Sequence, residues 1–238
     1  MNATLNMVRW DVLLQVRSHL YTATALTTGA FCLVVILLQP FNLSSKWLSI
    51  LLFTDPAVIG LSFVGAFVLL ERGGNTLSAI AVSPLMGRTY VLGKVISFSL
   101  LGTLSGGTVA VAASNGDLNH ALMVGSLILT NVLAVLMGFV IAAHSVTVNQ
   151  FLVRMSLTIV LVVLPSLPFL GLAPGAWPVI FAIIPSFSML VILEAGFGAS
   201  SVSVPVYFGH VIYLLIWIIS IWFWAVRAYE TSFREAGA

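Results

Sequence analysis

The sequence predicts an all-α integral membrane protein with six transmembrane helices, and three observations carry that prediction. Hydrophobic residues make up 60% of the 238-residue chain and charged residues only 7%, with a mean hydropathy of +1.14, whereas a soluble domain is about half apolar and about a quarter charged. Apolar segments near 21–38, 47–70, 90–113, 121–144, 151–172 and 207–226 are each long enough to cross a hydrocarbon core that takes roughly 20 helical residues. No segment alternates with a strand period, and backbone in lipid must pair its N–H and C=O groups internally, so the spans are helices. A single membrane domain, 1–238, holds spans one to five within 21–172 and span six within 206–227.

The first element precedes the spans. Within residues 5–20, Leu5, Val8, Val12, Leu13, Val16 and Leu20 recur with a helical period among basic and polar residues. This stretch is too polar to span and reads as an interfacial helix on the inner leaflet; a plain juxtamembrane extension is the alternative. The run at 21–38 follows Arg9 and Arg17 as a signal peptide would, but it exceeds a typical signal core and lacks an A-x-A exit, so it is expected to remain in the mature protein. Cys32 lies within it. A lone cysteine forms no internal disulfide or thiolate metal site and reads as a small buried apolar residue.

Orientation follows from the basic residues, which are retained on the cytoplasmic side. An inward N-terminus and six spans place Arg9, Arg17, Arg72, Arg88, Lys94, Arg154, Arg227 and Arg234 inside and only Lys46 outside. Both termini are then cytoplasmic. Trp47, Trp177, Trp222 and Trp224 fall near span ends, as interfacial anchors do. Nine basic residues spread over the whole chain are no phosphate-binding footprint, which excludes nucleic acid as a partner.

In the second span, Asp55-Pro56 matches an N-cap followed by proline at the first helical position, with a pathway acid as the competing reading. Between spans two and three the sequence reads "ERGGNTLSAIAVSPLMGRTYVLGK". Glu71, Arg72, Arg88 and Lys94 collect here, although the chain has only nine basic and seven acidic residues. Gly73 and Gly74 end one helix and Asn75 can cap the next. Leu77, Ile80, Ala81 and Pro84 then form a stripe at helical spacing. A two-turn amphipathic helix over 75–84, with Thr76 in its first turn, is predicted on the cytoplasmic face. Its stripe suits either lipid or a groove on a partner. Glu71 either solubilises the helix end or pairs with Arg9 or Arg17, while Arg88 and Lys94 read as topology and headgroup charges. "GRTYVLGKV" is no nucleotide loop: Gly87 and Gly93 are one residue too far apart and Val95 offers no hydroxyl for magnesium.

Asn131 lies deep in the fourth span, where a polar side chain bonds a neighbouring helix or contacts a substrate. His120 and His144 stand at opposite ends of that span, too far apart to share a metal. Gly102 and Gly106 form a G-x-x-x-G in the third span that would permit a close dimer seam. The outer segment 173–205 is apolar but broken at Pro178, Pro185 and Gly196, which predicts two short re-entrant helices rather than a seventh span. Glu194 and His210 flank it as solvated or capping groups, or in substrate release.

Glu71, Thr76-Leu77, Ser83-Pro84-Leu85 and Gly93-Lys94 resemble the E…TL…L…P…K signature of the membrane subunits of ABC-2 type exporters. "FTDPAVIGLSFVGAFVLLE" and "RWD" are similar to the bacterial fluoroquinolone export permeases within that group. "ERGG" replaces the more acidic run that often follows the glutamate. The resemblance implies a permease half that dimerises with itself or a sister permease in the cytoplasmic membrane. It also implies that 75–84 is the coupling helix docking in a separate ATPase, which binds the ATP and Mg; this chain carries no cofactor, metal or catalytic residue of its own. Spans with few charges suit a hydrophobic or amphipathic cargo, a drug or a lipid, and the resemblance implies that it is moved outward. The rivals are an ion-coupled secondary transporter, which needs inverted repeats, an intramembrane enzyme, which needs convergent catalytic groups, and a membrane-anchored assembly or sensor subunit.

Overall fold

In the computed structural model the described residues are 3–74, 87–114, 116, 118–173 and 175–234, and every regular element among them is helical. α1 (Ala3–Arg17) and α2 (Leu20–Leu38) are separated by a turn in which His19 takes a left-handed φ of 58°. Leu20 therefore opens the first span instead of closing the helix before it. A 3₁₀ turn, Gln39–Phe41, leads toward α3 (Ser45–Val58), a π-helical turn (Ile59–Phe63) and α4 (Val64–Gly73). α5 (Gly87–Ala113), α6 (His120–Ala143), α7 (Val148–Val163) and α8 (Ser166–Phe169) follow. Two short helices, α9 (Trp177–Phe181) and α10 (Pro185–Gly196), occupy the outer segment, and α11 (Val204–Arg234) closes the chain.

Among the described residues five helical stretches are long and apolar enough to cross a membrane: Leu20–Phe41, Gly87–Ala113, His120–Ala143, Val148–Phe169 and Val204–Thr231. The expected second span is not one uninterrupted α-helix. Residues 45–73 are helical throughout, but the π turn divides them. Asp55 and Pro56 lie inside α3, which corrects the reading of them as an N-cap and a first helical position. Proline within a helix removes a hydrogen bond and crowds the preceding turn, and the chain widens into the π turn three residues later. Other punctuation is local. Asn119 caps α6 by accepting from the Leu122 N–H at 3.2 Å. Thr147 and Gln150 form a capping pair on α7: Thr147 accepts from the Gln150 N–H, and the Gln150 side chain accepts from the Val146 N–H.

α6 is the central helix, touching α3, α4, α5, α7, α10 and α11. Small residues let its neighbours close in. A Cβ on Gly138 would stand 2.6 Å from the Leu61 carbonyl oxygen and 2.7 Å from that of Gly60, so backbone meets backbone where the π turn crosses α6. Gly102 and Gly106 face Asn131 and Leu127 of α6 within the same chain. That corrects the reading of their G-x-x-x-G as a dimer seam. Asn131 is likewise corrected: its amide donates to the Leu127 carbonyl of its own helix at 2.9 Å, and its buried Oδ1 meets Gly102 without a hydrogen-bond donor. At the end near the α5–α6 turn, Gln39 donates to the Ala112 carbonyl at 2.9 Å, and the Asn119 N–H donates to the Gly196 carbonyl at 2.9 Å. α2, α7 and α11 turn broad apolar faces outward, including Leu26, Leu37, Leu157, Val160, Ile216 and Phe223.

Replacing Gly138 by valine is expected to destabilise the fold by about 1–3 kcal/mol through overpacking. Gly107→Ala, with nothing within 4 Å of the added methyl, leaves stability unchanged. Thermal unfolding of both variants in detergent checks the contrast.

Candidate functional site

The chain gathers its charges at the helix ends that bracket residues 75–86. Lys94, two turns into α5, has no solvent-exposed surface, and its Nζ donates to Asp11 Oδ1 at 2.6 Å and to Glu71 Oε1 at 2.5 Å. The Tyr90 hydroxyl, one turn earlier on the same face, donates to Glu71 Oε2 at 2.5 Å. Lys94 also stands 5.3 Å from the Tyr90 ring centroid and 5.6 Å from that of Phe67, so aromatic faces supplement the carboxylates around the ammonium. One buried cation thus joins three elements: α1 through Asp11, α4 through Glu71 and α5 through itself. Tyr90 carries the contact further, lying 4.9 Å from the Tyr229 ring of α11 and 6.0 Å from Phe139 of α6.

Local sequence explains how α1 reaches this cluster. Met7, Asp11 and Gln15 are spaced by four and share one face. All three are buried: Met7 packs where a side chain on Gly93 would sit, and Gln15 donates to Ser97 Oγ at 3.1 Å. Glycine at 93 is required for this approach, since an added Cβ would fall 2.6 Å from Met7 Cγ and 3.3 Å from Asp11 Oδ2. Of the apolar residues expected to define the interfacial helix, Leu5, Leu13 and Val16 are exposed, Val8 and Val12 are half-buried and Leu20 is buried. Leu5 and Val16 are 66% and 55% exposed, and Trp10 is 63% exposed beside the equally outward Arg9 and Arg17. The helix therefore docks by Met7, Asp11 and Gln15 and leaves Leu5, Trp10, Leu13 and Val16 exposed.

The structure corrects two assignments here. Lys94 is no headgroup charge, because it is enclosed on all sides. Glu71 pairs with Lys94 and not with Arg9 or Arg17, which are exposed. Arg72 donates to the Ser145 carbonyl at 2.8 Å, and Arg154 donates to the His144 carbonyl, so two guanidinium groups clamp the α6–α7 turn. Arg88 is exposed. Asn75, Thr76, Leu77, Ile80, Ala81 and Pro84 lie outside the described residues. Asp11, Gln15 and Tyr90 were not singled out as site residues from sequence; the available signal was the i, i+4 spacing of Asp11 and Gln15 on one face of α1.

Burial sets the electrostatics of Asp11. Desolvation is the largest influence and raises its pKa from 3.8 to about 6, against the attraction of Lys94 and with the repulsion of Glu71. The neutral form is thus favoured in the docked helix relative to an undocked one. Asp11 supports docking most fully below about pH 4, and that support is lost as pH rises to about 6.

At the opposite end, Glu194 is buried and accepts from Ser201 Oγ at 2.9 Å and Ser45 Oγ at 3.4 Å. It ties α10 to α3, so it is not the solvated flank that was expected. His210 Nδ1 lies 2.9 Å from Ser188 Oγ, beside a 400 Å³ depression between α10 and α11. A larger groove of about 540 Å³ runs between α5 and α6, lined by Thr103, Leu104, Thr108, Val111, His120 and Val124.

A buried ion cluster of this kind is stable only as a set. Lys94→Met leaves two buried carboxylates without their cation, which is expected to cost about 3–5 kcal/mol. Arg88→Gln, on the exposed surface, leaves the unfolding transition in place. Chemical unfolding in mixed micelles separates the two.

Comparison with known proteins adds a second line. Residues 2–234 match the family model described as the fluoroquinolones export permease protein family. The chain is also similar to the fluoroquinolones export permease proteins of two strains of Mycobacterium tuberculosis, each 27% identical over 197 residues, covering 82% of this chain and 81% of the relative.

Proposed function

The chain belongs to the fluoroquinolones export permease protein family, and from that premise we propose that it is the membrane-spanning subunit of an ATP-driven exporter. In this reading a separate ABC ATPase binds ATP and Mg, and the permease works as a dimer with itself or a sister chain in the cytoplasmic membrane. The cargo is a hydrophobic or amphipathic compound, and the fluoroquinolones named for its relatives are the first class to test. Six spans are assigned by counting the segmented helix 45–73 as the second, with both termini cytoplasmic. α9 and α10 are assigned as a re-entrant pair in the outer leaflet, since a helix of 12 residues, as α10 is, falls short of the roughly 20 needed to cross.

The observation that supports a coupling role for 75–84 is the placement of its two anchors. The segment leaves α4 after Glu71 and enters α5 before Lys94, and those residues share one buried ion cluster with Asp11. A push on the segment would reach α1, α4 and α5 together rather than be dissipated in a loop. Work enters through contacts that differ between the two states of the ATPase. The groove between α5 and α6 is the candidate path for cargo, because it is apolar with hydroxyl and imidazole groups at its rim.

Leu77→Asp and Ile80→Asp are expected to abolish co-purification with the ATPase, or its cargo-stimulated hydrolysis, while membrane insertion is kept. Unchanged binding and hydrolysis would reject the docking role. Labelling of single cysteines placed within 75–84 from the periplasmic side alone would reject the topology.

A further inference from the structure

The Asp11 cluster has more acid than base. Among the described residues two carboxyl groups, Asp11 and Glu71, face one ammonium, and residues 75–86 contain no ionisable side chain. The excess is matched by two missing donors: Asp11 Oδ2 and Gln15 Oε1 are both buried and neither has a hydrogen-bond partner. Both residues have no exposed surface. They lie four apart on α1, where side chains stand one above the other. Buried acceptors left without a donor are each costly, and neither of these can donate to the other. A single hydrogen placed between them resolves both and removes the surplus charge.

We propose that α1 carries a proton-binding site in which Asp11 Oδ2 holds the proton and donates it to Gln15 Oε1, so that α1 docks on α5 in a protonated, charge-balanced form. The proton comes from solvent and no bond besides O–H is made or broken. Asp11 Oδ1 keeps its bond from Lys94, and Glu71 keeps its bonds from Lys94 and Tyr90. The other groups packed around the site fit this assignment. α5 supplies Lys94 and Tyr90, α4 supplies Glu71, and α11 supplies Tyr229 beyond Tyr90. α2 brings only Tyr21, and the intervening turn His19, both exposed. The raised affinity of Asp11 for a proton, centred at about pH 6, places the titration where a modest pH change alters occupancy. The site does not depend on the transport reading, since it follows from charge and hydrogen-bond balance.

The test is an infrared pH titration of the full chain in lipid nanodiscs, following the C=O stretch of a protonated carboxyl. A band with a midpoint near pH 6 is expected in the wild type, absent in Asp11→Asn and retained in Glu71→Gln with its midpoint moved to lower pH. Loss of the band in Glu71→Gln and its survival in Asp11→Asn would overturn the assignment, as would a wild type with no titrating band. Should Asp11→Asn fail to fold, Gln15→Leu decides: a midpoint shifted to lower pH supports the Asp11–Gln15 bond, and an unmoved one rejects it. Amide exchange of α1, corrected for the intrinsic pH dependence, should slow below the midpoint in the wild type. If sodium concentration rather than pH controls that protection, the ligand is a metal cation and the proton site is wrong.

Discussion

An ammonium withdrawn entirely from water must be neutralised where it sits, and one end of this protein is arranged around that requirement. Lys94 has no solvent contact, and an isolated ion so placed carries a desolvation penalty of several kcal/mol. The penalty is met by the Glu71 carboxylate, by the Asp11 carboxyl oxygen that accepts from the same ammonium, and by the faces of Phe67 and Tyr90. Long-range attachment of α1 and α4 to α5 is therefore an electrostatic necessity, not an incidental contact. Arg88, six residues earlier, meets no such condition because it is solvated. Proximity in sequence thus says little about the roles of the basic residues in this region.

The cluster also accounts for the inverted look of α1. A surface helix of a soluble protein buries its apolar stripe and exposes its polar face. Next to a bilayer the preference reverses for any polar group with a partner inside, because lipid is the better solvent for Leu5, Trp10 and Leu13 and the bundle is the better host for Asp11 and Gln15. Arg9 and Arg17 are exposed alongside Leu5, Trp10 and Leu13.

Much of the architecture was legible in sequence because membrane helices are dictated by local composition. Five of the six apolar segments became helices long enough to cross, with ends within a few residues of the reading, apart from α11, which runs on to Arg234. Pro185 and Gly196 bound α10 as proline and glycine do by their backbone preferences. What escaped was pairing. Periodicity shows that Glu71 needs a partner, but the choice of Lys94 over Arg9 depends on how α1 is rotated, which no local rule encodes. The same holds for Asn131, whose carbonyl oxygen ends against Gly102, and for Gly102 and Gly106, whose small size serves α6 rather than a second copy. Pro56 misled for a related reason: the helix-starting signature of Asp55-Pro56 was overridden by the helix already under way from Ser45.

The π turn at Ile59–Phe63 has a geometric corollary for the second span. A π turn holds one residue more than the α geometry around it, so the side chains of α3 and α4 are out of phase by about a third of a revolution. The lipid-facing stripe of one half cannot be extrapolated into the other. A homologue shorter by a single residue here would keep both faces only by straightening the span into one rod, and alignments across this family should expect their gap at that place.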